Sequence, residues 1–387
     1  MSFGWRRANL GSALLALFAA GGLSAQATAG APPGSELTIS LLTMGPGAEV
    51  WERFGHNAIL VEDRKLGTSR AYNYGMFSFR QANFLLRFVQ GRMNYWMAGF
   101  DAKPDIARYY RAQRSVWSQE LNLTPAQRLK LRDFLLWNEQ PENAFYRYDY
   151  YRDNCSTRVR DALDSVLGGA IRAQTELVPA GTTFRFHTQR LTANDVPIYT
   201  GILIATGRGA DQPISAWEEM FLPFKLREHL RIVRVPDGTG GEVPLVKEEH
   251  TLYESDAYPV PDAPPPWVRR YLLAGVLVGS GLLVSGVAGR RWGWARSVFG
   301  IAGTTWVLVA GVSGAILAWL WAFSDHVIAT RNENVLQFNL FAFAQLWVLV
   351  PAMRGRPWAV RPARALVLAS APGNASRRSS RSRPSPM

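Results

Sequence analysis

Residues 151–161, Tyr-Arg-Asp-Asn-Cys-Ser-Thr-Arg-Val-Arg-Asp, decide how the centre of this chain folds, and they contain its only cysteine, Cys155. Asp153 and Asn154 are of the residue types that cap the start of a helix. The following apolar residues have the i, i+3, i+4, i+7, i+8 spacing of one buried helical face: Val159, Ala162, Leu163, Val166 and Leu167. The spacing predicts an amphipathic helix with Cys155 in its first turn.

A thiol in a first helical turn faces unpaired backbone N–H groups and the positive end of the helix dipole. Both favour the thiolate over the thiol. The alternative is a buried, unreactive thiol, because free cysteine is among the most buried residue types. A single cysteine in an exported chain has no partner for an internal disulfide. We therefore interpret Cys155 as a nucleophile.

The N-terminal segment 1–27 predicts export. Arg6 and Arg7 supply a positive n-region, residues 10–23 form an apolar h-region, and Ala25-Gln26-Ala27 is a cleavage signal. This combination is typical of a secretory signal peptide. An uncleaved membrane anchor is the alternative.

The C-terminal part of the chain predicts a bundle of three transmembrane helices within 271–353. Its apolar stretches at 271–289, 298–323 and 335–353 are each long enough to cross a hydrocarbon core of about 30 Å. Arginines stand between the first two stretches and after the third. If residues 28–270 lie outside, both arginine clusters are cytoplasmic, as the positive-inside rule requires. The sequence thus predicts a multi-pass protein of the bacterial inner membrane with its soluble domain in the periplasm.

The formal net charge of +13 equals the number of arginines in the signal n-region, the first cytoplasmic loop and the tail 354–387. The rest of the chain is therefore neutral. A basic chain usually suggests nucleic-acid binding, but here the charge lies in segments that set membrane topology. We predict no nucleic-acid partner.

Residues 35–235 are long enough for one soluble domain with a hydrophobic core. Apolar patterning predicts its strands at 36–44, 54–62, 71–79 and 116–123, and its helices at 81–92, 104–113, from Thr124 and from Cys155. The fold class is therefore α+β. The proline-rich segment 236–266 is predicted to be a linker to the membrane, and the basic tail 354–387 is predicted to be disordered.

A cysteine nucleophile needs a base, and His56 is the best candidate. It follows Gly55 at the start of an apolar strand, where a histidine at the rim of a sheet can meet a helix N-terminus and form a thiolate–imidazolium pair. His187, His229 and His250 have less favourable contexts, and any lone histidine can be a structural residue. Asn73, or a tyrosine beside it, is the candidate to hold the imidazole tautomer.

The candidate substrate contacts are Arg152, Arg158, Tyr74, Asn154 and His326. Arg152 and Arg158 flank the nucleophile and can meet a phosphate, or can simply be solvated. His326 belongs to the polar loop 324–334, which faces the periplasm in the predicted topology and completes a lipid site or serves only as a connector. No pair of histidines has metal-ligand spacing, and we predict neither a metal nor a cofactor.

A strand led by histidine, followed much later by Asn-Cys at a helix start, resembles the circularly permuted papain-like superfamily. That group includes NlpC-related cell-wall peptidases and lecithin:retinol acyltransferase-like enzymes. Three blocks, at 54–58, 72–77 and 153–161, more narrowly resemble the periplasmic domain of the Lnb lipoprotein N-acyltransferases, over roughly residues 35–200. That family also carries a C-terminal transmembrane region.

The resemblance implies an acyltransferase in which Cys155 accepts the acyl chain and His56 is its base. The acyl donor would be a membrane phospholipid, and the acceptor would be the N-terminal amine of a diacylglyceryl-cysteine lipoprotein. Two alternatives stay open. One is a periplasmic cysteine amidase or peptidase acting on cell-wall peptide, and the other is a non-enzymatic membrane scaffold.

Overall fold

The computed structural model describes residues 31–338 and 340–369. The predicted signal peptide, 1–27, lies outside these residues. The strands are β1 (Leu37–Met44), β2 (His56–Asp63), β3 (Thr68–Met76), β4 (Asn94–Asp101), β5 (Val116–Leu121), β6 (Phe145–Arg147), β7 (Pro179–Thr183), β8 (Pro213–Ser215), β9 (Arg234–Pro236), β10 (Glu242–Pro244) and β11 (Val246–Tyr253).

The helices of the soluble part are α1 (Phe84–Gln90), α2 (Ala102–Arg111), α3 (Pro125–Asn138), α4 (Pro141–Ala144), α5 (Cys155–Val166), α6 (Ala170–Thr175), α7 (Phe184–Thr192), α8 (Val196–Ala205), α9 (Ala216–Glu219) and α10 (Pro223–Leu230). Those of the C-terminal part are α11 (Trp267–Ala288), α12 (Gly293–Phe323), α13 (Phe341–Met353) and α14 (Pro357–Ala369). Short 3₁₀ turns cover Val50–Glu52, Arg208–Asp211, Val327–Ala329 and Glu333–Leu336.

Seven strands form one antiparallel sheet in the order β11-β5-β1-β2-β3-β4-β6. Strand β2 alternates as the sequence predicts, since Ala58 and Leu60 face one core and Ile59 and Val61 face the other. Helices α3, α5 and α10 pack on the Ile59 side, and α2 packs on the opposite side. The sheet thus has helices on both faces, and its antiparallel strands fit the predicted α+β class.

The segment 236–266 is not simply a linker. It contributes β10, and β11 pairs with β5 as the edge strand of the main sheet. Strand β11 reads Val-Lys-Glu-Glu-His-Thr-Leu-Tyr. An exposed edge strand does not need apolar alternation and tolerates charge, which is why its pattern escaped detection. The sheet therefore extends to Tyr253.

In the described ranges, three helical segments are long and apolar enough to cross a membrane, namely Trp267–Ala288, Gly293–Phe323 and Glu333–Met353. The three predicted spans are confirmed as such segments. The tail prediction is wrong for its first part, because α14 is helical and packs against α13. Its apolar residues, including the buried Ala359 and Ala363, give it a face to bury. Residues 370–387 lie outside the described residues.

Candidate active site

Helix α5 begins at Cys155 and is capped by Asn154, as predicted. The Asn154 side-chain oxygen accepts from the backbone N–H groups of Ser156 and Thr157, both at 2.9 Å. Its amide nitrogen donates to the carbonyls of Tyr150 (2.8 Å) and Phe221 (3.0 Å). Asn154 is buried, and these bonds occupy its side chain. It holds the helix start and has no free group for a substrate.

Gly75 of β3 lets the start of α5 approach the sheet. Its φ is +84°, and a Cβ at this position would lie 3.3 Å from the Cβ of Cys155. A side chain at Gly75 would therefore press on Cys155 while straining its own backbone. This contact brings Cys155 to the rim of the sheet beside β2 and β3.

The thiol is half-buried, and the expected preference for thiolate is not found. Burial raises the pKa of the Cys155 thiol above its ordinary value, against the backbone N–H groups of Asn57, Ser156 and Cys155 and the charge of Arg114, which lower it. The helix start does favour the anion, but removal from water disfavours it more. Cys155 at rest is therefore a neutral thiol.

His56 is the first residue of β2. Its Nε2 lies 2.9 Å from the side-chain oxygen of Asn73. The Asn73 amide nitrogen donates to the carbonyl of Ala71 and to the carboxylate of Asp105, both at 3.1 Å. Because that nitrogen already has two acceptors, the Asn73 oxygen must accept from His56. Nε2 therefore carries the proton, and Nδ1 is the unprotonated nitrogen of the neutral ring.

The surroundings of His56 keep the imidazole neutral. Burial lowers its pKa to about 4, opposed by the hydrogen bond of Asn73 and the charge of Asp105 and aided by the charges of Arg114 and Arg108. The ring also stacks on Tyr109, with centroids 6.3 Å apart. A neutral imidazole with a free Nδ1 is suited to act as a general base.

The backbone joins the two candidate catalytic residues. The N–H of Asn57, the residue after His56, is directed at the thiol and lowers its pKa. Tyr109, which stacks on His56, has a pKa that the charge of Cys155 raises further, beyond the effect of burial. Cys155, His56 and Asn73 thus lie together at the rim of the sheet, and their catalytic roles stay predictions.

Other candidate residues line a neighbouring cleft. Tyr74, Arg152 and Arg158 face one cleft of about 310 Å³ that does not include Cys155. Arg158 is paired with Asp153 at 2.7 Å and lies 4.3 Å from the ring centroid of Tyr146. Its charge is therefore already balanced, whereas Arg152 is exposed. The Tyr74 hydroxyl donates to Asn138 at 2.7 Å.

His326 lies on the loop after α12 and contacts α1 and Tyr150 of the soluble domain. Its Nε2 donates to the carbonyl of Phe88 at 2.8 Å. Its ring stacks on Tyr150, with centroids 6.1 Å apart. Tyr150 in turn contacts Tyr148 at 5.7 Å, and both Tyr148 and Cys155 pack on the main core. The loop 324–334 is therefore docked on the soluble domain.

Sequence reasoning missed the hydroxyl of Tyr146. This residue is 8% exposed, and its hydroxyl is buried with no acceptor in the described part of the chain. The backbone N–H of Gly75 is directed at its oxygen. Burial raises the pKa of Tyr146 well above its ordinary value, and the charge of Cys155 raises it further. The hydroxyl thus keeps its proton beside the thiol. The alternating spacing of Tyr146, Tyr148 and Tyr150 was the sequence feature that could have pointed to Tyr146.

His187, a lesser candidate for the base, belongs to a separate buried cluster. Its Nε2 donates to Glu219 at 2.8 Å, and its Nδ1 accepts from Arg190 at 3.0 Å. Both of its nitrogens are therefore occupied. Among the residues the structure describes, no group of three His, Cys, Asp or Glu side chains is arranged to hold a metal ion.

The comparisons with known proteins identify one family domain in the chain. Residues 26–190 match the model of the Lnb N-terminal periplasmic domain. No curated protein and no solved structure shows significant similarity to the chain. The matched segment contains the whole candidate site, from His56 to Cys155, and three helices capable of crossing a membrane follow it. The chain therefore carries an Lnb-type N-terminal domain in the periplasm, and its apolar helices make it a multi-pass protein of the inner membrane.

Proposed function

We propose that this protein is a lipoprotein N-acyltransferase that moves a phospholipid acyl chain through a thioester on Cys155. The observation that carries the proposal is the bond from His56 to Asn73. It leaves Nδ1 of a neutral imidazole free at the rim where α5 presents its thiol. The match to the Lnb N-terminal periplasmic domain supports lipoprotein processing as the pathway, and the membrane helices support lipid substrates.

In the first half-reaction the Cys155 sulfur attacks the ester carbonyl of the phospholipid while Nδ1 of His56 takes the thiol proton. Because the thiol and the imidazole are both neutral at rest, this transfer accompanies the attack. The tetrahedral intermediate collapses, the C–O bond breaks, and the imidazolium returns the proton to the departing lysophospholipid alcohol. The product is an acyl thioester on Cys155.

The negative oxygen of that intermediate needs donors. The backbone N–H groups around the thiol are some of these donors. The Tyr146 hydroxyl, which is neutral and donates to no described group, is another donor close by. A Cβ at Gly75 would lie 3.3 Å from the Cβ of Cys155 and 3.9 Å from this hydroxyl. A buried hydroxyl without an acceptor costs about 1–3 kcal/mol, which a ligand oxygen would relieve. Tyr146 is thus assigned to the oxyanion site.

In the second half-reaction the amine of a diacylglyceryl-cysteine N-terminus attacks the thioester. His56 removes a proton from the amine and returns it to the leaving thiolate, which restores the free enzyme with an amide product. The proposal includes a circularly permuted papain-like fold. In its support, the strands of His56 and Asn73 precede the helix of Cys155 in the chain. The catalytic domain then covers residue 35 to Tyr253.

The test incubates purified protein in nanodiscs with phospholipid labelled in its acyl chains. We expect a labelled Cys155 adduct that hydroxylamine cleaves, and transfer of the label to a diacylglyceryl-cysteine peptide. Cys155→Ala should abolish both, and Cys155→Ser should nearly do so, because a hydroxyl is a much weaker nucleophile at neutral pH. Full lipoprotein acylation by Cys155→Ala would overturn the mechanism. An adduct discharged only by water would indicate a lipase, and release of cell-wall peptide fragments would indicate an amidase.

A further inference from the structure

Helix α1 is apolar and yet exposed. Five of its seven residues, Phe-Leu-Leu-Arg-Phe-Val-Gln, are apolar, and none is buried. With two neighbouring aromatic side chains it forms an exposed surface, called here the α1 patch: Trp51, Phe79, Leu85, Leu86, Phe88 and Val89. Leu85 is 77% exposed and Phe79 is 60% exposed. A helix at a water-facing surface normally buries its apolar face, so this patch indicates a partner.

The contacts of α1 fix its height relative to the membrane. The backbone N–H of Asp325 donates to the carbonyl of Gln90 at 2.8 Å. The Asp325 carboxylate pairs with Arg92 and Arg147, each at 2.7 Å. Asp325 comes two residues after Phe323, where α12 ends. Helix α1 is therefore attached at the level where a membrane span enters the periplasm.

The charges around α1 match a lipid surface. Arg80 and Arg87 flank the patch, and neither has an acidic partner in the part of the chain that the structure describes. Amphipathic elements that lie in a membrane interface combine apolar side chains with such basic residues, which meet lipid phosphates.

We propose that the α1 patch is inserted into the periplasmic leaflet of the inner membrane and forms the entrance through which the acyl chain reaches the thiol. The identity of that ligand rests on the proposed function, whereas the insertion does not. A row of ring contacts leads inward: Phe84 to Phe77 (6.2 Å), Phe77 to Tyr95 (5.0 Å) and Tyr95 to Tyr148 (4.2 Å). Tyr148 is close enough to Cys155 for the thiolate charge to raise its pKa, beyond the larger effect of burial.

Spin labelling of the full chain in nanodiscs of phosphatidylethanolamine and phosphatidylglycerol tests the insertion. In a Cys155→Ser background, nitroxides are attached at Leu85→Cys and, as a control, at Leu66→Cys. Leu66 is 71% exposed and lies in the turn after β2, at the strand end opposite His56. We expect the Leu85 label to be several times more accessible to oxygen than to a polar nickel chelate, and the Leu66 label to show the reverse. Equal exposure of both labels to the nickel chelate, or spin–spin coupling between two copies at Leu85, would overturn the proposal.

A second comparison tests the entrance. Leu85→Asp combined with Leu86→Asp should lose most acylation by bilayer phospholipid but keep acylation by a soluble short-chain ester. Leu66→Asp should leave both unchanged. Equal loss with both donors would mean that α1 only supports the fold, and would overturn the entrance. If wild-type protein transfers no acyl chain at all, the proposed function fails, while the nitroxide measurement still decides the insertion.

Discussion

The Nε2 atom of His56 donates to the side-chain oxygen of Asn73 over 2.9 Å, and Asn73 is itself locked by Ala71 and Asp105. This hydrogen bond fixes the tautomer and the orientation of the imidazole, in the way that a third catalytic group orients a base. Asn73 lies on the neighbouring strand, where Ala58↔Asn73 is a paired position. The strand register therefore determines which imidazole nitrogen of His56 carries the proton.

Asn73→Ala should slow formation of the acyl-enzyme by at least about 10²-fold, since the ring loses both its orientation and its preferred tautomer. The measurement is the single-turnover rate of adduct formation by mass spectrometry at saturating donor. Asn138→Ala is the control, because Asn138 is also buried and hydrogen-bonded, but to Tyr74 rather than to His56. It should reduce stability without a specific loss of rate. Wild-type rates in Asn73→Ala would exclude the orienting role.

Local patterns predict much of this site. Capping residues and helical spacing place Cys155 at the start of α5, and the alternation of β2 places His56 at a strand end. The hydrogen-bond partners and the burial of these residues depend on tertiary contacts. Asp105 on α2 accepts a hydrogen bond from Asn73, which lies 32 residues earlier in the sequence. No local sequence pattern predicts that contact. Burial is the largest influence on the pKa of both Cys155 and His56, and it is likewise a property of the packed domain.

The secondary structure also divides into elements that local patterns predict and elements that depend on tertiary contacts. The predicted strand at 116–123 has alternating residues and is found as β5. Strand β11 was missed because it is an exposed edge strand, rich in charge. Strand β6 has only three residues, Phe145–Arg147, too few to show a period. Such elements form because neighbouring strands offer unpaired backbone groups, which a single stretch of sequence does not reveal.

The neutral thiol predicts the pH dependence of alkylation. Burial raises the pKa of Cys155, and His56 with a pKa of about 4 is neutral from pH 5 upward. The rate of reaction with iodoacetamide should therefore keep rising above pH ~8.5, the ordinary cysteine pKa. The unfolded protein in guanidinium is the control, since its same thiol should titrate at lower pH. A rate that is constant between pH 5 and 8 would show a standing thiolate–imidazolium pair instead.

Tyr146→Phe removes only the side-chain hydroxyl. We expect acyl-enzyme formation to fall by about 10²–10³-fold, the usual effect of losing one oxyanion donor. The melting temperature should change little, because the hydroxyl donates to no described group and accepts only the backbone N–H of Gly75. Tyr74→Phe is the matched control. It leaves the buried oxygen of Asn138 unpaired, which should cost about 1–3 kcal/mol of stability, with little change in the rate of the folded fraction. Equal rates for Tyr146→Phe and wild type would remove Tyr146 from the oxyanion site.

The buried carboxylate of Glu219 supports the start of α5 from a distance. It accepts from His187 at 2.8 Å and from His229 at 2.9 Å. Burial opposes its ionisation, but these hydrogen bonds hold the pKa of Glu219 well below its usual range. The next two residues carry the carbonyls that accept from Ser156 (2.7 Å) and from Asn154 (3.0 Å). The cluster and the nucleophile's helix thus share one segment of chain.

Glu219→Gln should destabilise the domain by about 1.5–3 kcal/mol at pH 7, because it replaces the buried hydrogen bonds of a carboxylate by those of a neutral amide, and should slow acylation as the helix start loosens. A carboxylate with a lowered pKa stabilises the fold above its unfolded pKa of ~4.3, and that contribution is lost as the pH falls through the folded value. The gap in melting temperature between wild type and Glu219→Gln should therefore narrow below pH ~4. Glu218→Gln is the control: it is exposed, bonds the N–H of Ser215 at 2.9 Å, and should cost about 1 kcal/mol or less. Identical melting of Glu219→Gln and wild type at pH 7 would show that this cluster does not hold the helix.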